Sequence, residues 1–123
     1  MHEQRDFRAR ALSYRLTYVV MYMIKIMLCC NAGMSTSLLV KKMEAAARSR
    51  EEDIEIAAYP ISESHDHVSD YDILLLGPQI AYTKGDFERE LQGKIPVVVI
   101  PMMDYGRMNA DAIIDMALNE IGK

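Results

Sequence analysis

The sequence predicts an α/β fold, a four-stranded parallel sheet with helices on both faces. Four short apolar runs, at residues 23–29, 54–58, 73–76 and 97–100, recur along the chain with helical patterns between them. Three of the four are rich in Ile, Val or Leu without polar alternation, as strands read when both of their faces are covered. Half of the 123 residues are hydrophobic, so a chain the size of one domain can fill a core.

Each element follows from its residues. After the first run, Ser35, Thr36 and Ser37 offer N-cap hydroxyls, and Leu39, Met43, Ala46 and Ala47 recur behind them at helical spacing. The second run leads into residues 59–71, whose only apolar anchors are Ile61 and Val68; this stretch reads as a short helix or a loop. Behind the third run, Gly85-Asp86 opens a helix with Phe87 and Leu91 on one face, and Gly93 closes it. Behind the fourth, Asn109 caps a last helix with Ile113, Met116, Ala117 and Ile121 turned inward, and Gly122 ends it. The alternation β-α-β-(α)-β-α-β-α predicts a parallel sheet with right-handed crossovers. The expected strand order is 2-1-3-4, the flavodoxin-like arrangement. Ligands of such sheets bind at the carboxyl ends of the strands where strand order reverses. Here that point lies between strands 1 and 3, where residues 30–33 and 77–79 meet.

Composition narrows the function classes. A formal net charge of -4, with basic residues scattered apart from Arg5, Arg8, Arg10 and Arg15, argues against nucleic acid as a partner. The two cysteines, Cys29 and Cys30, are adjacent, so at best they form a strained ring; two reduced thiols in a reducing compartment is the reading that fits. His65 and His67 are a close pair without obvious further ligands, so no metal and no cofactor is expected. Ten methionines suggest an adaptable interior or partner surface. Residues 16–30 (LTYVVMYMIKIMLCC), preceded by arginines, resemble the charged and apolar parts of a signal peptide. Lys25 interrupts the run, it is too short for a membrane helix, and its second half reads as a buried strand. The expectation is therefore an extension over residues 1–22 outside the fold, with Met21 or Met23 as the native start, and one domain over residues 23–123.

The chemistry concentrates in Cys30, Asn31, Ala32, Gly33, Met34, Ser35, Thr36 and Ser37, a thiol, a glycine and three hydroxyls between a strand and a helix. Successive backbone N–H groups in such a turn converge into a nest, and a helix start adds unpaired N–H groups and partial positive charge. Together these suit a phosphate, and the same field favours a thiolate. Gly33 permits close backbone approach or a positive φ. The residues alone also admit a plainer reading. Cysteines at strand ends are often small buried hydrophobes, which suits Cys29, and the three hydroxyls can be simple helix caps.

Residues 26–40 (IMLCCNAGMSTSLLV) closely resemble the phosphocysteine loop of the IIB proteins of lactose/cellobiose/chitobiose-type sugar phosphotransferase systems. Residues 74–82 (LLLGPQIAY) resemble that family's second marker at the expected distance, and the resemblance covers roughly residues 23–122. It implies that Cys30, directly before the Ala-Gly-Met-Ser-Thr-Ser run, accepts a phosphoryl group from a phosphohistidine of the cognate IIA protein. The phosphocysteine then passes the group to a sugar held by the membrane-embedded IIC component. The resemblance further implies a cytoplasmic protein that contacts the membrane only through IIC, acting on a β-linked disaccharide such as cellobiose, chitobiose or lactose. Gln79 falls in the second marker and Tyr105 in a Tyr-Gly pair after strand 4; both are expected to approach the acceptor loop. Met34, Ile80, Tyr82 and Met102 are candidates for the surface that receives IIA and IIC, the alternative for all four being the core.

Two other classes compete. Cysteine-dependent phosphatases share the loop after the strand, but carry an arginine six residues after the cysteine, where this chain has Thr36. IIB-like domains also serve as phosphorylation sensors attached to transcriptional regulators; no other part of this chain suits DNA.

Overall fold

The structure, a computed structural model, describes residues 23–30 and 36–122. The expected extension over residues 1–22 lies outside the described residues. The elements are β1 (Ile24–Cys30), α1 (Thr36–Ser49), β2 (Ile54–Pro60), α2 (Ile61–His67), β3 (Ile73–Leu76), α3 (Lys84–Leu91), β4 (Val97–Val99), α4 (Met102–Gly106) and α5 (Ala110–Ile121). The sheet is parallel with order β2-β1-β3-β4, as expected. β1 is central, pairing from Ile24↔Ile54 to Cys30↔Pro60 on one side and from Ile26↔Ile73 to Cys29↔Leu76 on the other.

Two cores follow from the alternation of side chains along the strands. Ile26, Leu28, Ile56, Ile73 and Leu75 meet Leu39, Met43 and Ala47 of α1 and Ile113, Ile114 and Ala117 of α5. On the opposite face Met27, Cys29, Leu74, Leu76 and Val97 meet Val68, Tyr71, Ile80, Phe87 and Leu91. α1 buries Leu39, Met43 and Ala47 at intervals of four, one stripe of a helix. Arg50, just past its end, reaches Glu52, Asp111 and Asp115 and ties α1 to α5. Asn109 caps α5, its side-chain oxygen accepting from the Ala112 N–H at 3.3 Å.

The structure sharpens several expectations. β1 extends one residue further, so Cys30 is the last residue of the strand rather than the first of the loop. The weak stretch resolves into the end of β2, α2 and a 3₁₀ turn (Val68–Asp70), anchored by Ser64, Val68 and Tyr71. Gly85-Asp86 does not open α3. A 3₁₀ segment (Pro78–Thr83) runs directly into Lys84, and the Thr83 hydroxyl bonds the Ile80 carbonyl at 2.7 Å, so the chain is already wound when it reaches Gly85. Gln92 and Gly93, with φ of 54° and 76°, then reverse it. Of the two readings of Ile80, docking surface or core, the structure shows the core: it is fully buried beside α3 because this segment turns it under β3.

Candidate functional site

β1 delivers two thiols to the carboxyl end of the sheet and alternation sends them to opposite faces. Cys29 belongs to the core beside α2 and α3. The Ser64 hydroxyl lies 2.9 Å from its sulfur and 2.8 Å from the Pro60 carbonyl oxygen, its single proton shared between them. Burial above all, and then the neighbouring charge of Cys30, raise the Cys29 thiol above its ordinary value; the Ser64 hydrogen bond opposes them. Cys29 is therefore a protonated, enclosed thiol at neutral pH.

Cys30 faces the other way, onto the side of α1 and α5. Its sulfur is in close hydrogen-bond contact with the hydroxyl of Thr36, the first residue of α1. Thr36 is buried, and no acidic residue sits in the first turn of α1 to offset the positive end of its dipole. Ser37, next along, is exposed. Asn31, Ala32, Gly33, Met34 and Ser35 lie outside the described residues.

The rest of the site comes from the ends of β3 and β4. Gly77 follows β3, its N–H donating to the Cys29 carbonyl at 3.0 Å. A Cβ built on Gly77 would lie 3.1 Å from Gln79 Oε1, 3.4 Å from Cys30 Cβ and 3.7 Å from the Tyr105 ring. Gln79 and Tyr105 are thus brought to the same place as Cys30, at the reversal of strand order. Gln79 is exposed. The Tyr105 hydroxyl is buried and finds no hydrogen-bond partner of acceptable geometry among the described residues. It lies within electrostatic reach of Cys30 and Thr36; burial first, then Cys30, raise its pKa above the ordinary phenol value. Around this opening Tyr82, Met102 and Met103 are 76%, 70% and 60% exposed, a large apolar display on a small domain.

Sequence reasoning missed Ser64, which reads as an exposed serine in a polar helix and is fully buried. It also missed α4, which presents Tyr105. α4 is five residues long and buries none of them, so it has no periodicity to betray it; Pro101 in front of it is the one local signal. His65 and His67 are engaged elsewhere. His65 stacks on Phe87 and contacts Glu90, and His67 stacks on Tyr59.

A doubly wound parallel sheet with a thiol seated at its switch point, under the start of a helix, defines the class: a small α/β domain whose site is built around cysteine. The family model "PTS system, Lactose/Cellobiose specific IIB subunit" matches residues 25–116, and the chain belongs to this family of phosphotransferases of sugar transport. It is 41% identical over 100 residues to the galactose-specific EIIB component of Lactococcus lactis subsp. cremoris, covering 76% of this chain and 93% of that one. It is 40% identical over 98 residues to the oligo-beta-mannoside-specific EIIB component of Bacillus subtilis, covering 79% and 95%. The solution structure of a cellobiose-specific IIB component from Borrelia burgdorferi superposes with a TM-score of 0.69 at 34% identity, over 82% of this chain and 94% of that one. The lactose-specific IIB domain of Streptococcus pneumoniae shares the fold, with a TM-score of 0.68 at 15% identity over 76% and 97%. No described helix is long and apolar enough to cross a membrane.

Proposed function

We propose that Cys30 is the phosphoryl acceptor of this IIB subunit, taking the group from a phosphohistidine of IIA and passing it to a sugar bound by membrane IIC. The observation that carries this reading is the seat of the Cys30 sulfur. It stands at the switch point, at the start of α1, against the Thr36 hydroxyl, with Gly77 leaving the space beside it open. In the first transfer the sulfur attacks phosphorus and the P–N bond breaks with its electron pair remaining on the imidazole, which takes up the proton the thiol loses. In the second a sugar hydroxyl attacks phosphorus, the S–P bond breaks, and the hydroxyl proton ends on the thiol. Asn31, Ala32, Gly33, Met34 and Ser35 complete the phosphate loop with Thr36 and Ser37, and Gln79 supports it from the end of β3. Phosphoryl transfer needs positioning and charge neutralisation rather than covalent help from the protein. A loop of backbone N–H groups and neutral hydroxyls, with Thr36 where phosphatases have arginine, holds the dianion without promoting attack by water.

The protein works in the cytoplasm, where phosphorylated IIA is found, and meets the membrane only through IIC. Relatives named for cellobiose and oligo-beta-mannoside support a β-linked disaccharide as the sugar. A net charge of -4 gives nucleic acid no purchase.

Incubation with phosphorylated IIA adds one iodine-labile phosphate to the wild type. Cys30→Ser abolishes it and Cys29→Ser largely preserves it, because Cys29 is enclosed on the other face. Phosphate mapped by mass spectrometry to His65, His67 or Cys29 overturns the assignment. The phosphoprotein persists for many minutes in buffer and discharges rapidly only with membranes carrying IIC and its sugar. Efficient hydrolysis of p-nitrophenyl phosphate by the protein alone would instead favour a phosphatase.

A further inference from the structure

Tyr105 is the polar side chain whose placement the acceptor reading leaves unexplained. The short α4 lays its ring against the core shared by α1 and α5. One ring edge approaches to 3.7 Å the point a Gly77 Cβ would occupy, and that point is 3.4 Å from Cys30 Cβ. The ring is partly buried, and its hydroxyl, fully enclosed, makes no hydrogen bond of ordinary geometry among the described residues. A native fold rarely leaves such a group unpaired, and a catalytic role is one of the explanations such a group calls for. The groups acting on this hydroxyl are the Cys30 sulfur and the Thr36 hydroxyl, which also contact each other. Burial and the adjacent sulfur both favour the protonated phenol, so at neutral pH it is a standing donor.

We infer that Tyr105 is a catalytic residue of phosphoryl transfer, its O–H donating to the Cys30 sulfur as that atom becomes a thiolate and to a phosphoryl oxygen once the group is attached. This rests on Cys30 being the acceptor. Tyr105 keeps its proton throughout; only its hydrogen bond moves. In the charging step it stabilises the sulfur before attack, and in discharge it stabilises the same sulfur as it leaves. One neutral donor therefore serves both directions. The missing Cβ of Gly77 keeps the space between Tyr105, Gln79 and Cys30 clear for the phosphoryl oxygens.

The test has two arms. The first uses the resting protein with [13Cζ]tyrosine and needs no phosphoryl transfer. Cys30→Ala removes the neighbouring sulfur that raises the Tyr105 pKa, so the Tyr105 phenol titrates at lower pH than in the wild type. An identical Tyr105 titration in both proteins overturns the inference. In the second arm Tyr105→Phe retains the ring and its packing. At saturating phosphorylated IIA its charging rate falls at least about tenfold, the loss of one hydrogen bond to a charged group, while the donor concentration for half-maximal rate is unchanged. Charging at the wild-type rate overturns the inference. Absence of phosphate from Cys30 in the wild type is a different result. It removes the acceptor reading and with it the catalytic role, whatever the titration shows.

Discussion

Gly77 has φ -60° and ψ 146°, a conformation open to any residue, so its value at this position is its lack of bulk. A Cβ there meets the movable end of Gln79 at 3.1 Å and Cys30 Cβ at 3.4 Å, contacts the fold can absorb. Gly77→Ala is therefore expected to leave stability unchanged, or to raise it by less than about 1 kcal/mol through the unfolded chain, while slowing charging of Cys30 severalfold. Thermal unfolding and phosphorylation rate, measured together, separate the two effects; an alanine variant that charges normally shows the space is idle. Ser64 is the complementary case. Ser64→Ala removes the hydroxyl that favours the Cys29 thiolate, so the Cys29 pKa rises further, and stability falls by about 1 kcal/mol. Alkylation of Cys29 by iodoacetamide against pH, in a Cys30→Ser background, reads this directly: the curve moves to higher pH.

The helices divide by what holds them. α1 and α5 share an apolar face as well as the Arg50 cluster, and magnitude decides between the two. Met43 is fully buried, so Met43→Ala costs about 2–5 kcal/mol. Asp111 and Asp115 side chains are 68% and 66% exposed, so breaking either pair with Arg50 costs under about 1 kcal/mol and less in high salt. Denaturant titration of the three variants tests the ranking; equal losses would mean the ion pairs carry the interface. The same contrast explains what could be read from sequence. α1 and α5 announce themselves by apolar periodicity and by Asn109, and the strands by unbroken apolar runs, because burial imposes both patterns. α4 has no buried residue and so no pattern, and the 3₁₀ segment at 78–83 winds Ile80 into the core although no apolar periodicity marks the stretch. At the candidate site, motifs single out Cys30, Thr36, Gln79 and Tyr105, which the structure sets close together, whereas no motif points to Ser64. Its partner Cys29 lies 35 residues away on another element, beyond the reach of local spacing.

Among the described residues, three neutral acids bind their proton more tightly in the fold than in the unfolded chain, as does the Arg50 guanidinium held by Asp115. Cys29, Tyr71 and Tyr105 are all raised, in each case by burial first. Stability linked to a raised acid is complete below its unfolded value and is lost as pH climbs through its folded value. The unfolded values are 9.0 for the thiol and 10.0 for the phenols, so unfolding midpoints should hold through neutral pH and decline in the alkaline range above them. A midpoint that rises with pH there would contradict the burial of these groups. We further propose that the fold is complete from Met23. The Ile24 N–H already donates to the Asp53 carbonyl at 3.0 Å, and the described members of both cores run from Ile24 to Ile121. A chain starting at Met23 is expected to unfold with the stability of the full chain; a deficit above about 2 kcal/mol, a large share of a domain's total, would show residues 1–22 docked on it.

The placement of the two thiols on β1 has a consequence for how the nucleophile is chosen. Ile26, Leu28 and Cys30 are even members of the strand and point at α1 and α5; Lys25, Met27 and Cys29 are odd and point at α2 and α3. Sliding β1 forward by one step would move Cys29 into the place Cys30 now holds, against Thr36, and turn Cys30 to the opposite face of the sheet. That slip is opposed from both sides, since β1 is locked to β2 and β3 at once, and it would drive the Lys25 ammonium into the core that Ile26 now fills. Two chemically identical neighbours are thus told apart by counting, and the rigidity of the central strand protects the count.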